Sequence, residues 1–104
     1  MRYLLNNKIY DTEKAEKIMT YIKTVPQKNS LLNLTTYPRY RHTLYKTAKG
    51  QFFVHIGEYI QASPVAYNDK DYIELLTEDE VKEILNQLNE IDKYKELFDD
   101  LEEG

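Results

Sequence analysis

The segment from His42 to Glu58 constrains the fold more than any other part of the sequence. Two runs, His42–Thr47 and Gln51–Glu58, flank Ala48-Lys49-Gly50, where Gly50 can supply positive φ at low steric cost. In the second run Phe52, Val54 and Ile56 share one face, while Phe53 and His55 share the other. Both faces are partly apolar, which predicts a central strand. Asp71–Leu76 offers a further strand, since Tyr72, Ile73, Leu75 and Leu76 follow the turn signal Asn68-Asp69. The middle of the chain therefore predicts an antiparallel sheet of three or four strands around a central hairpin.

The flanks add the rest of the layout. Arg2–Leu5 and Lys8–Tyr10 surround Asn6-Asn7, a pair that tolerates the left-handed conformation of a tight turn, so a small hairpin is expected. A helix is expected next, with Asp11 as its cap and Glu13 suited to its positive end. Ala15, Ile18, Met19 and Ile22 recur at helical spacing, and Pro26 marks the stop. Residues 26–41 are interrupted by Pro26, Asn29, Ser30, Asn33 and Pro38 and read as a partly packed loop with one short strand.

The C-terminal third reads as helical. Thr77-Glu78-Asp79-Glu80 is a capping box, and Leu76 and Val81 occupy the two staple positions. Val81, Ile84, Leu85 and Leu88 form an apolar stripe that Ile91, Tyr94, Phe98 and Leu101 extend. Asn89 is a candidate cap for a second helix, which favours two helices over one long one. The predicted class is α+β, a single domain over residues 1–104. Its small antiparallel sheet carries an N-terminal helix and one or two C-terminal helices packed on it.

Composition bounds the chemistry. The 104 residues fit one domain, and Leu, Ile, Val and Phe make up about 26% of them, above the disordered range. The absence of cysteine excludes disulfides, thiolate metal sites and thiol nucleophiles. No apolar run approaches the roughly 18 residues of a membrane span, and no signal-peptide pattern opens the sequence. The expectation is a cytoplasmic protein without membrane contact.

The net charge of −4 conceals a division. Residues 1–52 carry ten bases and three acids, whereas residues 53–104 carry four bases and fifteen acids. Between Lys23 and Lys49 there are six bases and no acid. Such asymmetry marks an anionic partner, a basic partner, or attraction between the two halves of one domain.

Catalytic arrangements are scarce. His42 and His55 have no metal-binding spacing, although symmetric pairing about Ala48-Lys49 brings Lys46 near Gln51 and the two imidazoles near each other. Ser30 and Ser63 lack the GxSxG elbow. The carboxylates of Glu78-Asp79-Glu80 and Asp99-Asp100 fall at a helix start and on the tail, where water screens them. The three glycines never cluster into a phosphate-cradling loop. A non-enzymatic protein without cofactor or metal is expected.

Binding surfaces remain. Tyr37-Pro38-Arg39-Tyr40-Arg41-His42 alternates aromatic and basic residues; tyrosine can stack, and arginine can fork onto phosphate or carboxylate. Tyr37, Arg39, Tyr40 and Arg41 are therefore the candidate partner-binding residues, with Glu78, Asp79 and Glu83 as an acidic surface. The competing reading makes Tyr37 and Tyr40 plugs at the edge of the core.

Lys8-Ile9-Tyr10-Asp11-Thr12-Glu13-Lys14-Ala15 resembles the start of a family of small, largely uncharacterised proteins from phages, plasmids and other mobile elements of Gram-positive bacteria. Thr43–Phe53 resembles that family's tyrosine-containing hairpin, Leu75–Val81 its final capped helix, and Asp92–Phe98 its closing Tyr/Phe segment. A departure follows the hairpin: relatives often have a glycine-rich stretch where this chain reads Gly57-Glu58-Tyr59-Ile60-Gln61-Ala62. The resemblance implies a mobile-element protein that blocks a host defence, an anti-CRISPR inhibitor of a Cas9-type nuclease or its guide complex. The alternative is a nucleic-acid-binding accessory protein that uses the basic stretch 23–49.

Overall fold

The computed structural model describes residues 1–24, 27–29, 34–36, 39–59 and 71–104. Its elements are β1 (Arg2–Leu5), β2 (Lys8–Asp11), β3 (Glu16–Thr24), β4 (Gln27–Asn29), β5 (Leu34–Thr36), β6 (Arg39–Lys46), β7 (Phe52–Tyr59), β8 (Tyr72–Leu76), α1 (Glu78–Gln87) and α2 (Ile91–Leu97). Strands β3, β6, β7 and β8 form a four-stranded antiparallel sheet in that order. The apolar residues on both faces of β7 do place it inside the sheet, and Gly50 takes the turn with φ of +88°. One face packs on the helices: Ile18, Leu44, Phe52, Val54, Ile56 and Leu76 join Val81, Leu85 and Tyr94 in the main core.

The first hairpin forms as expected. Asn6 and Asn7 both adopt positive φ, 53° and 62°, which is the backbone of a two-residue turn matched to strand twist.

The N-terminal helix does not form; β3 stands in its place. The Asp11 signal is real but caps a single turn, in which its Oδ1 accepts from Glu13 N at 2.9 Å and its carbonyl accepts from Ala15 N at 3.0 Å. Ile18, Thr20, Tyr21, Ile22 and Thr24 then supply the β-branched and aromatic residues that favour a strand. A bulge between Lys17 and Met19 explains the helical spacing. It sets Ile18 in the core with Met19 packed against it, so the alternation of a strand is broken where a helix reading looks for neighbours. Ile22, assigned to the helix face, is instead 52% exposed.

The segment read as a loop contains a second small ladder, in which β4 pairs antiparallel with β5. Pro26, Tyr37 and the Asn68-Asp69 turn signal lie outside the described residues.

The helical third follows its signals closely. Glu80 N donates to Thr77 Oγ1 at 3.2 Å, and Thr77 N donates to Glu80 Oε1 at 3.0 Å, the reciprocal bonds of a capping box. The break lies at Asn89, although that residue ends α1 and does not cap α2. With φ of 55° it lets Glu90 N reach Leu85 O at 2.9 Å and its own N reach Asn86 O at 3.2 Å, a Schellman turn. Beyond α2 the chain is tied back: Asp100 accepts from Lys82 Nζ and from the Tyr94 hydroxyl, each at 2.8 Å. Those two donors hold its carboxyl below the usual carboxylate range.

Candidate functional site

Strand register decides what lies on the sheet face opposite the helices. At one end of that face the β1–β2 hairpin packs an aromatic layer. Tyr10 meets Phe53 edge-on at 5.5 Å, Tyr45 stacks on Phe53 at 5.1 Å, and Tyr3 lies 5.5 Å from the His55 ring. Phe53 is fully buried beneath them, so this end is a second, smaller core.

The other end is polar. Thr20 of β3 pairs with Thr43 of β6, which pairs with His55 of β7. One step along, Arg41 pairs with Gly57. These residues, with Lys17 and Asp71, line a cleft of about 550 Å³. Its cationic groups come from β3 and β6, whereas its carboxylate precedes β8 at the opposite edge. The Asp71 carboxylate reaches back over Gly57 of β7, the residue paired with Arg41, so acid and base lie about one strand spacing apart in the cleft.

Local contacts fix its floor. A Cβ at Gly57 would collide with the Asp71 carboxylate and sit 3.1 Å from His55 Cε1; glycine is what lets that carboxylate lie over the β7 backbone. Thr20 Oγ1 and Thr43 Oγ1 stand 3.4 Å apart, a long contact for two hydroxyls. His55 Nε2 is buried without a hydrogen-bond partner among the described residues. Burial, followed by the charge of Asp71, pushes the Tyr3 phenol above its ordinary range.

The two histidines do not meet. Lys46 pairs with Phe52, not Gln51, so His42 falls opposite Ile56 and Thr43 opposite His55. This shift of one residue sends the imidazoles to opposite faces of the sheet. His42 is 6% exposed on the helix side, against the Tyr21 ring at 5.3 Å, and its Nε2 also lacks a hydrogen-bond partner among the described residues. Burial, with a smaller contribution from Lys23, lowers its pKa to about 4.

No protein-family model, curated protein or solved structure matches the chain.

The predicted partner-binding residues separate into two groups. Arg39, Tyr40 and Arg41 form the start of β6. Arg41 lines the cleft, Tyr40 is half-buried against the main core, and Arg39 is exposed beside Thr24. Tyr37 lies outside the described residues. Glu78, Asp79 and Glu83 are exposed on α1, which starts just after Leu76. Leu76 pairs with Phe52, itself opposite Lys46 at the far end of β6. About 20 Å of strand separates that end from Tyr40, so the basic and acidic groups are not one surface.

Sequence reasoning missed Lys17, Thr20, Thr43 and Asp71 as neighbours of Arg41. The signal for Thr43 was present in the polar alternation Arg41, Thr43, Tyr45; Lys17 and Thr20 were hidden by the helix reading. Among the described residues no three His, Asp or Glu side chains gather to hold a metal ion. The Thr43 hydroxyl meets Thr20, and no hydrogen bond couples it to His55. What the cleft holds is an ammonium, a guanidinium and two hydroxyls, with the Asp71 carboxylate among them beside the Arg41–Gly57 pair.

Proposed function

We propose that the protein works by binding, as a stoichiometric interaction protein whose working surface is the polar end of the sheet face opposite the helices. The observation that carries this reading is the row Thr20, Thr43, His55 and its neighbour Arg41, set on a sheet face where folding would be served by apolar side chains. Buried polar atoms without partners cost stability, so their retention at His55 is better suited to recognition than to packing. The resemblance to proteins of Gram-positive mobile elements narrows the partner to a host defence nuclease of the Cas9 type, or its guide complex. Inhibition proceeds by occlusion of a surface the nuclease needs.

A DNA-targeting interference assay tests this directly. Co-expression of the protein with several Cas9-type effectors is expected to restore survival of a targeted plasmid, and Arg41→Glu is expected to abolish the rescue. Full interference in the presence of the wild-type protein, across all effectors, overturns the proposal.

A further inference from the structure

Exposed apolar side chains scattered one at a time call for no explanation, but grouped ones do. Two are paired on the first hairpin. Leu4 of β1 lies directly opposite Ile9 of β2, and they are 76% and 65% exposed. Tyr3 and Tyr10 turn inward onto His55 and Phe53, so strand alternation points Leu4 and Ile9 away from the sheet. Ile9 also lines two depressions, of about 270 and 690 Å³, which share Thr47 and Ala48 beside the Gly50 turn. Their walls carry Arg2, Lys8, Lys14 and Lys49 against a single carboxylate, Asp11. That carboxylate already accepts from Glu13 N at 2.9 Å. The hairpin thus presents an apolar pair in a basic surround.

The reverse arrangement stands on the helix side of the sheet. Between the end of α1 and the C-terminal tail, Ile91 and Leu101 line a notch of about 60 Å³ over the buried Leu85 and Tyr94. Both lining residues are exposed. Charge here is acidic: Glu90 lines the notch, and Glu102 and Glu103 follow Leu101. The sheet lies between notch and hairpin, so one copy cannot join its own two patches.

We propose that the protein associates with copies of itself head to tail, the Leu4–Ile9 hairpin of one copy seated on the Ile91–Leu101 notch of the next. This contact goes beyond the one assigned to the polar cleft and shares no lining residue with it. Charge chooses the occupant. Basic rim meets acidic rim, whereas hairpin on hairpin or notch on notch sets like charges together. A flat lipid surface could take the exposed pair but would leave the depressions on either side of Ile9 unfilled. Such a heterologous contact leaves a hairpin unoccupied at one end and a notch at the other, so assembly runs past the dimer unless it closes a ring. Few side chains and screened charges make the contact weak, favoured by high concentration and low salt.

Sedimentation velocity of the full-length protein, from micromolar to millimolar concentration and at low and high sodium chloride, tests this. The mean mass is expected to rise with concentration and to fall back when salt is added. Ile9→Asp and Ile91→Asp, both at exposed positions, are each expected to weaken self-association by about tenfold or more. Mixed together, the two variants are expected to form a one-to-one heterodimer and stop there, since the first keeps a working notch and the second a working hairpin. The spoiled patches then set Asp against Asp and cannot extend the chain. If far-UV circular dichroism shows either variant to be misfolded, serine at the same position replaces it. A wild-type protein that stays monomeric at every concentration overturns the inference. So does undiminished assembly by either variant, or a mixture that remains monomeric. Recruitment of monomeric wild-type protein, but not of Ile9→Asp, to phosphatidylglycerol vesicles would assign the hairpin to a membrane surface and overturn it as well.

Discussion

The two faces of the central sheet are built for different ends. On the helix face Leu44, Val54 and Ile56 are almost wholly buried and meet Val81, Leu85 and Tyr94 across a dry contact. On the opposite face, among the described residues, one end is packed by Tyr3, Tyr10 and Tyr45 around Phe53 and His55, while the other end keeps hydroxyls and charges in a cleft. Both faces are drawn from the same strands, with alternate residues assigned to each. Among the described residues, apolar packing is concentrated on one side, and the other carries hydroxyls and charges.

Truncation should expose that contrast most strongly. Leu44→Ala removes a fully buried side chain from the middle of the helix face and is expected to lower unfolding free energy by roughly 4 kcal/mol, read by urea denaturation. A loss under about 1 kcal/mol would show that the helix face is not the main source of stability.

Acid should act through the same face. His42 titrates near 6.5 when unfolded and near 4 when folded. Above pH 7 the ring is neutral in both states and its burial costs no proton. Below 6.5 the unfolded chain takes up a proton that the folded one refuses, so stability declines until about pH 4 and then levels off. The expected loss over that window is roughly 2 to 3 kcal/mol. Unfolding measured at several pH values should show this slope, and His42→Leu should flatten it.

Smaller effects sharpen the comparison at its margins. Thr77→Ala removes one half of the capping box and is expected to cost about 1 kcal/mol, with the loss of helical signal concentrated in α1. Thr43→Val, on the cleft side, gives up the 3.4 Å contact with Thr20; it is expected to change stability by less than about 0.5 kcal/mol, read by urea denaturation. A large destabilisation by Thr43→Val would mean that the cleft face, too, is built for packing.

How much of this could be read from the residues depends on the range of the forces involved. The capping box, the Asn6-Asn7 turn and the Gly50 turn are local chemistry, complete within a few residues, and all three are where the sequence places them. β3 was misread because its bulge gives a strand the neighbouring apolar pair Ile18 and Met19, and because Asp11 caps a turn with the same hydrogen bonds that start a helix. Tertiary pairing with β6 then prevails over a marginal helical pattern. The cleft was out of reach for a related reason. Arg41 was legible as a binding residue, but its neighbours depend on the register of two strand pairs, and one residue of slip in the hairpin places His55 beside His42 instead of beside Thr43. The charge division was legible as a number and not as a map, since the acids of α1 and the arginines Arg39 and Arg41 of β6 lie at opposite ends of the sheet.

Strand β3 closes one side of the sheet, and its nine residues begin Glu16-Lys17 and end Lys23-Thr24. A second molecule adding its own β3 antiparallel to the first, centred on Thr20, would set Lys17 of each copy directly against Lys23 of the other. Like charges placed opposite one another discourage such pairing, and the bulge after Lys17 further spoils the ladder. The lysine that faces the cleft therefore has a second consequence, felt between molecules: it helps keep concentrated protein from growing into extended sheets.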